Sequence, residues 1–324
     1  MNRFKTLKSC FAICAVTLLM STGVQAQVDK TVRILVGFPA GGSGDIAARL
    51  LGQNMSIELK QPVVVENKPG AGGRIAAEAL KNATPDGSTI MLAPIVVPVL
   101  APLVFNKLPY NPAIDFMPVG PVANFQFGLS VSATHPAKNV KELMAWFKAN
   151  PNQANFGSPA PGSLPHFFGV MMATNSGLDL VHVPFNGGAP LMTAIVGNQV
   201  TSGIDTVVDQ MEMYRGGKTR ILATSGATRS PMLQDIPTFA EAGLKGVEGT
   251  GWFAVYAPAK TAPETIQQLN AALNKALKTP ELREKFGKMG FEPTGGTPAD
   301  LTAMMKRDTE RWAPVVKASG FKGD

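Results

Sequence analysis

The sequence predicts an α/β protein with two domains and a ligand cleft between them. Apolar strands alternate with helices along most of the chain, which predicts parallel sheets covered by helices. About 300 residues follow an N-terminal leader, a length that suits two domains of ordinary size. Several strands run into turns rich in glycine or hydroxyl residues, a feature typical of sites that hold small ligands at strand ends.

The first 26 residues have the three-part pattern of a secretory signal peptide. Three basic residues precede an apolar run at residues 10–20, and the stretch VQA at 24–26 fits a cleavage site before Gln27. The apolar run is shorter than the roughly 20 residues that a membrane-spanning helix needs. We therefore expect export to the periplasm and a mature chain that starts near Gln27.

The composition of the mature chain excludes several function classes. Cys10 and Cys14 both lie in the leader, so no thiolate would remain for catalysis or metal binding. Removal of residues 1–26 lowers the formal net charge from +7 to +4, and the remaining basic residues are scattered. Because no Lys/Arg run resembles a nucleic-acid patch, we expect no nucleic-acid partner.

The first α/β unit comes directly after the leader. Its predicted strands are Val32–Gly37, Pro62–Glu66 and Thr89–Ala93, and its predicted helices are Gly44–Leu59 and Arg74–Asn82. The segment NKPGAGG at residues 67–73 is rich in turn formers and connects a strand to the second helix.

A second alternating set begins near Gly128. Its predicted strands are Leu129–Ser132, Ala154–Gly157, Leu180–Pro184, Thr201–Asp205 and Arg220–Thr224. Its predicted helices are Val140–Asn150, Pro165–Asn175, Pro190–Gly197 and Val207–Gly216.

A long apolar strand and a helical tail end the chain. The strand is Gly251–Ala259, and the helices are Pro263–Leu277, Pro280–Met289 and Pro298–Ser319. Thr297, Pro298 and Asp300 predict a capping box at the start of the last helix.

A plausible assembly returns the tail to the first unit, so the chain would cross between domains twice. The crossings are expected near residues 123–129 and 247–253, which divides the chain into a signal peptide (1–26), domain 1 (27–125 plus 252–324) and domain 2 (126–251). Two crossing strands make a hinge, and a ligand would sit in the cleft between the domains.

The turn after the first strand resembles a dinucleotide fingerprint and leaves one alternative open. Residues 42–47 (GSGDIA) fit G-x-G-x-x-A, and Glu66 ends the next strand, where a ribose-binding acid would fall. The alternative is therefore a nucleotide-dependent oxidoreductase. Against it stand the lengthened turn at residues 38–41, the negative charge of Asp45 at the helix start, and the export signal.

The sequence offers little for catalysis. His135, His166 and His182 lie far apart without metal-ligand spacing, and no G-x-S-x-G elbow is present. Asp45 and Asp205 fall at strand-to-helix turns, where a carboxylate readily caps backbone N–H groups. We expect no catalytic residue, no cofactor and no metal site.

Four turns are suited to holding an anion: residues 41–43, 158–163, 186–189 and 205–206. Backbone N–H groups, hydroxyls and helix dipoles can hold a carboxylate without any formal positive charge. This pattern favours reversible binding over turnover.

The motifs also resemble those of a known family. The runs GFPAGGSGDIAARLL, QPVVVENKPGAGG, TPDGSTIML, NFGSPAPGSLPHF and VHVPFNGGAPLMTAIVGNQV are similar to the Bug-type extracytoplasmic solute receptors of tripartite tricarboxylate transporters. The resemblance covers essentially the whole mature chain. It implies a periplasmic-binding-protein fold that closes as a monomer around a small carboxylate and delivers it to a membrane permease. A receptor that instead presents its ligand-bound state to a sensor protein is an alternative that the sequence does not separate.

The resemblance also implies a set of ligand-binding residues. They are Phe38, Pro39, Gly41, Gly42, Ser43 and Asp45 in the first domain, and Ser158, Gly162, Ser163, Asn186, Gly187, Gly188, Ala189, Asp205 and Thr206 in the second. Where the family usually has a hydroxyl-rich loop, this chain has the apolar residues 93–97, which include Pro94. That departure favours a ligand with an apolar or aromatic body, flanked by Phe38 and Phe185.

Overall fold

The structure, a computed structural model, describes residues 31–323. The predicted signal peptide, its cleavage site and both cysteines lie outside the described residues. Within the described residues, no helix is long and apolar enough to cross a membrane.

The described chain alternates strands and helices in the predicted order. The strands are β1 (Val32–Val36), β2 (Val63–Asn67), β3 (Thr89–Pro94), β4 (Phe116–Phe125), β5 (Phe127–Ser132), β6 (Asn155–Ser158), β7 (Val181–Pro184), β8 (Ser202–Thr206), β9 (Thr219–Thr224), β10 (Gly251–Pro258) and β11 (Glu292–Pro293). The helices are α1 (Ser43–Leu59), α2 (Arg74–Lys81), α3 (Ala101–Val104), α4 (Pro112–Asp115), α5 (Val140–Ala149), α6 (Leu164–Ser176), α7 (Gly188–Val196), α8 (Val207–Arg215), α9 (Pro263–Lys278), α10 (Pro280–Lys288) and α11 (Pro298–Ser319).

The strands form two mixed sheets rather than the parallel sheets that the alternation favours. The first sheet has the order β11-β4-β10-β3-β1-β2, and the second has the order β7-β6-β8-β5-β9. In the first sheet, β10 runs antiparallel to both β3 and β4. In the second sheet, β5 runs antiparallel to both β8 and β9. The strands β4, β5 and β10 adjoin the two places where the chain changes sheets.

The chain passes between the sheets over very short distances. β4 ends in the first sheet at Phe125 and β5 begins in the second sheet at Phe127, so Gln126 alone separates them. The chain returns from the second sheet to the first through β10, whose residues are all buried. These positions place the ends of both sheets next to each other and leave room for a cavity between the loops that follow β1, β3, β6 and β8.

The apolar core explains why the elements form where they do. β3 and β10 are buried along nearly their whole length, which matches their continuous apolar sequences. α1 packs against α9 beside the first sheet. The predicted capping box of α11 is present, since Thr297 Oγ1 accepts the Asp300 N–H and Asp300 Oδ2 accepts the Thr297 N–H.

Several elements were not predicted from the sequence. The ten-residue strand β4 is the largest of them, and the smaller ones include β11, α3, α4 and a π-helical turn at Val96–Leu100. β4 contains Pro118 and Pro121, which usually argue against a strand. It accepts them because its pairing with β10 shifts register twice, and because its other neighbour, β11, has only two residues.

Candidate ligand site

A cavity lies between the two sheets and encloses about 750 Å³ of space, including part of its open mouth. This size is in the range of small-molecule sites. The lining includes Phe38, Pro39, Ala40, Gly42, Ser43, Gly44, Pro94, Ile95, Val96, Phe125, Phe127, Pro159, Ala160, Ser163, Leu164, Pro165, Gly187, Gly188, Ala189, Asp205, Thr206, Asp209 and Phe253. Both sheets therefore contribute to one site.

The N-terminal ends of four helices open onto this cavity. They belong to α1 on the side of the first sheet and to α6, α7 and α8 on the side of the second. The first backbone N–H groups of a helix have no acceptor inside it, and the helix dipole makes this end electropositive. The turns that the sequence predicts to favour anions are thus brought together.

The N-terminus of α1 is already in contact with a carboxylate of the protein itself. Asp209 Oδ1 accepts the Ser43 N–H at 2.7 Å, and Asp209 Oδ2 accepts the Ser43 hydroxyl at 3.1 Å. Asp209 lies in the first turn of α8, where its own N–H donates to Thr206 Oγ1 at 3.1 Å. The hydrogen bonds of Ser43 therefore join the two sides of the cavity.

Asp205, at the end of β8, is the second acidic residue of the lining. It is 1% exposed, and its Oδ1 accepts the Thr206 N–H at 2.7 Å. Its Oδ2 is buried without a hydrogen-bond partner. A Cβ on Gly188 would lie 2.6 Å from Asp205 Oδ2 and 3.0 Å from Asp209 Oδ2, so the absence of a side chain at Gly188 lets both carboxyl groups approach the start of α7.

Burial changes the protonation of these two groups. Burial, followed by the charge of Asp209, raises the pKa of Asp205 well above its ordinary value. Burial also raises the pKa of Asp209, although the hydrogen bonds from Ser43 act in the opposite direction. Both directions follow from the cost of holding two carboxylates close together with little water.

Asp45 does not line the cavity. Its Oδ2 accepts the Gly41 N–H at 3.0 Å and the Arg49 Nε–H at 2.9 Å, so the side chain closes the turn before α1 and pairs along the helix. Burial opposes ionisation, but the hydrogen bonds from Arg49 and Gly41 hold the pKa of Asp45 below its ordinary value. The sequence predicts that Asp45 caps backbone N–H groups, and its hydrogen bond from the Gly41 N–H agrees with that prediction.

Two loop residues of the second sheet also lie behind the cavity wall. Ser158 is fully buried, donates to the Ala160 carbonyl at 3.1 Å and is 2.7 Å from His182 Nε2. Gly162 donates its N–H to His166 Nδ1 at 3.1 Å. Ser163 does line the cavity, and its hydroxyl donates to the Ala160 carbonyl at 2.6 Å.

The two histidines behind these loops form a stacked pair, with ring centroids 3.9 Å apart. Burial, and to a lesser degree the charge of His182, lowers the pKa of His166 to about 3. Burial lowers the pKa of His182 to about 4. Both rings are therefore neutral near pH 7, and they support the loops that contain Ser158 and Gly162.

The aromatic residues that line the cavity differ in part from the predicted pair, Phe38 and Phe185. Phe38 lines the cavity, but Phe185 and Asn186 line a neighbouring depression with Gly37 and Pro69. The aromatic side chains that the sequence reasoning missed are Phe125, Phe127 and Phe253. The ring of Phe125 lies 4.6 Å from that of Phe253 and 5.4 Å from that of Phe127, measured between centroids.

The loop at residues 93–97 gives the cavity an apolar wall, as its composition predicts. Pro94, Ile95 and Val96 contribute to the lining, and Val96 begins the π-helical turn. Within the described residues that line the cavity, no Lys, Arg or His is present.

The features needed for dinucleotide or metal chemistry are not found at this site. Glu66 pairs with Lys68 at 2.7 Å and with Arg33 at 3.5 Å, and it does not line the cavity. The start of α1, where a dinucleotide phosphate would bind, holds the carboxyl group of Asp209. Among the described residues, no group of three or more His, Cys, Asp or Glu side chains could hold a metal ion.

Comparison with known proteins identifies the family. The model of the tripartite tricarboxylate transporter family receptor matches residues 47–321. The chain belongs to this receptor family. It is 37% identical to the UPF0065 protein in the gbd 5′ region of Cupriavidus necator over 85% of this chain and 84% of the relative.

Solved structures of receptors have the same fold. The periplasmic binding protein BugD matches with a TM-score of 0.85 and 31% identity, over 90% of this chain and 98% of BugD. R. palustris Rpa4515, determined with adipate, matches with a TM-score of 0.87 and 32% identity, over 90% of this chain and 98% of that protein. The periplasmic-binding-protein fold and the Bug-type resemblance are thereby confirmed.

Proposed function

We propose that this receptor captures a small organic carboxylate in the cavity between its sheets and delivers it to a membrane permease. The observation that carries the proposal is the convergence of four helix N-termini on one cavity. Such ends attract anions without a basic side chain. The similar protein Rpa4515, whose structure was determined with adipate, gives independent support for a carboxylate ligand.

The proposed site combines the cavity lining with the loops that shape it. Direct ligand contact is assigned to Phe38, Pro39, Gly42, Ser43, Pro94, Ser163, Gly187, Gly188, Ala189, Asp205 and Thr206. A supporting role is assigned to Gly41, Asp45, Ser158, Gly162, Phe185 and Asn186, which hold the loops or line the adjacent depression. The start of α1 already binds Asp209, and Asp205 and Asp209 both lie against Gly188 at the start of α7, so a ligand carboxylate is assigned to the start of α6.

The apolar part of the cavity favours a ligand with a hydrocarbon or aromatic body. Phenylalanine rings, prolines and residues 94–96 make up most of the lining. Burial of apolar area would supply much of the affinity, while the few polar groups fix orientation.

We further propose that the two sheets belong to separate domains, 27–125 plus 252–324 and 126–251, that close around the ligand. The short links at residue 126 and near residue 250 support a hinge beside Gly128 and Gly251. In this proposal the closed form acts as a monomer and is recognised by the permease. A sensor protein that reads the same closed form is the alternative partner.

Thermal-shift and calorimetric titration with adipate, hexanoate, benzoate and NAD tests the function. A ligand that binds only the folded protein raises its melting temperature by mass action. At least one carboxylate should raise it, while NAD should not and no ligand should be chemically changed. A shift with NAD alone would favour the oxidoreductase alternative.

Export is tested separately by intact-mass measurement of protein recovered from the periplasm. The expected mass is that of a chain starting at or near Gln27 without lipid. A mass that retains residues 1–26 would contradict the proposed processing.

A further inference from the structure

The segment that follows α11 reaches from the side of the first sheet to the side of the second. Gly320, in the left-handed conformation (φ 65°), caps α11 and turns the chain, and the Phe321 N–H donates to Ser319 Oγ at 3.1 Å. The half-buried Phe321 ring lies edge-on to the ring of His166 in α6, with centroids 4.4 Å apart. Since α11 packs against β4, a ring held by the first sheet contacts a side chain held by the second.

The same segment is anchored a second time on the side of the first sheet. The Gly323 N–H donates to the Val104 carbonyl at 3.1 Å, and a Cβ on Gly323 would overlap the Phe105 ring. Val104 is the last residue of α3, and Phe105 follows it. Phe321 is therefore held from both ends, by α11 before it and by the end of α3 after it.

On the side of the second sheet, the contact reaches a turn of the ligand site. Gly162 is buried, has a φ of +73° and donates its N–H to His166 Nδ1 at 3.1 Å. A Cβ on Gly162 would lie 3.0 Å from the Val104 side chain and 3.5 Å from the Phe321 ring. The turn therefore lies against two side chains from the other side of the cavity, and a residue with a side chain would fit neither its backbone nor this contact.

His166 connects Phe321 to the cavity lining. Its ring is 3% exposed and stacks on the His182 ring, with centroids 3.9 Å apart. Burial lowers the pKa of His166 to about 3, so the ring is neutral and Nδ1 keeps the lone pair that accepts the Gly162 N–H. Ser163 follows this turn, lines the cavity and is the last residue before α6. The position of His166 thus affects the position of the start of α6.

We propose that Phe321 is a positioning residue of the ligand site, which holds His166, and through it the Gly162 turn, in the arrangement that presents the start of α6 to a ligand. This inference rests on the proposed receptor function. Because Phe321 comes from the side of the first sheet, it acts in this way only while the two sides of the cavity are together. Closure then completes the site from behind as well as enclosing the ligand.

Hydrogen–deuterium exchange of the ligand-free protein tests the contact without a ligand. Phe321→Ala should accelerate exchange in a peptide covering residues 158–166 about tenfold, because the acceptor of the Gly162 N–H is no longer fixed. Phe321→Tyr keeps the ring and should retain slow exchange. Met304→Ala removes another half-buried apolar side chain of the first side, on α11, and should leave this peptide unchanged.

Calorimetric titration with adipate, hexanoate and benzoate tests the consequence for binding. Phe321→Ala should weaken each carboxylate that binds the wild type about tenfold, although Phe321 does not line the cavity. His166→Leu removes the acceptor of the Gly162 N–H and should itself weaken binding. In the His166→Leu background, Phe321→Ala should cause little further loss, since both residues act through one turn. Circular dichroism confirms that each variant folds.

The outcomes separate this inference from the receptor function. Unchanged exchange at residues 158–166, wild-type affinity in Phe321→Ala, or equal losses from Phe321→Ala in both backgrounds overturns the inference and leaves the receptor function intact. If none of the three carboxylates binds the wild-type protein, the receptor function fails, and the inference fails with it.

Discussion

Ser43 and Asp209 lie 166 positions apart in the sequence, yet the backbone N–H and the hydroxyl of Ser43 both donate to the carboxyl group of Asp209. The contact joins the first turn of α1 to the first turn of α8 across the mouth of the cavity. Pro39 reinforces it, since a Cβ on Gly187 would lie 3.1 Å from the Pro39 ring. The two sides of the cavity are thus held together by the protein's own groups.

Removal of this contact should open the ligand-free protein. Asp209→Ala deletes two hydrogen bonds to a carboxyl group, which should shift the ratio of closed to open molecules about ten- to a hundred-fold towards the open form. Small-angle scattering should then report a larger radius of gyration than for the wild type. Asp179→Ala serves as the control with no contact across the cavity. An unchanged radius would mean that other contacts hold the two sides together.

Gly42 and Gly188 should respond differently to the same substitution. A Cβ at Gly42 would meet only ordinary contacts, the nearest being the Pro39 carbonyl at 3.5 Å, so Gly42→Val should fold and place its methyl groups at the cavity wall. A Cβ at Gly188 would lie 2.6 Å from Asp205 Oδ2, so Gly188→Val must displace the carboxyl groups as well.

Both variants should lower ligand affinity about ten-fold or more, with the larger loss at Gly188. Calorimetric titration measures the affinity, and circular dichroism checks the fold. Gly287→Val is the matched control, because a Cβ there has no neighbour within 4 Å. Wild-type affinity in both cavity variants would show that these turns are structural and that the assigned site is wrong.

Most elements could be predicted from the sequence because local signals mark them. The last helix, Pro298–Ser319, has the predicted bounds, since a capping box marks its start and a glycine follows its end. β4 was missed because its prolines are tolerated only through irregular pairing with β10, which is a tertiary property. Strand direction was also missed, since an apolar run has the same pattern in parallel and antiparallel sheets.

The site could be predicted only at the level of its loops. The glycine-bearing turns could be recognised because they follow strands and precede helices. Asp209 was missed, although it follows Asp205 by four positions and lies in the first turn of the helix that starts after β8. The partner that gives Asp209 its importance, Ser43, comes from the other sheet, and no local pattern indicates that contact.

Asp205 should make the protein less stable as the pH rises. Burial raises its pKa in the folded protein, so the fold favours the protonated form. The unfolded chain ionises near pH 4, and the free energy of unfolding therefore decreases from that pH upward until the folded group also ionises. Asp205→Asn removes this loss while keeping an acceptor for the Thr206 N–H.

The melting temperature of Asp205→Asn should exceed that of the wild type near pH 7.5, because the variant has no carboxyl group whose ionisation the fold opposes. The difference should shrink as the pH is lowered towards 4. Asp179→Asn, at an exposed position, should show neither effect. A lower melting temperature for Asp205→Asn across this range would show that the ionised carboxylate stabilises the fold.

His166 should have the opposite pH dependence. Its pKa is lowered to about 3 in the folded protein, whereas an unfolded histidine titrates near 6.5. The neutral ring is favoured by the fold, so its contribution is complete above pH 6.5 and is lost as the pH falls below that value. Between pH 7 and pH 5 the loss should be about 2 kcal/mol, because only the unfolded chain takes up the proton.

His166→Gln isolates this effect, because the side-chain oxygen can still accept the Gly162 N–H that His166 Nδ1 accepts in the wild type. Urea unfolding at pH 7 and pH 5 measures both proteins, and the wild type should lose about 2 kcal/mol more than the variant over this interval. A repeat at pH 8 should show no further difference, since neither form titrates there. Equal losses in the two proteins would mean that the ring is accessible to protons in the fold, and the stacked pair with His182 would then not be the buried support of the Ser158 and Gly162 loops.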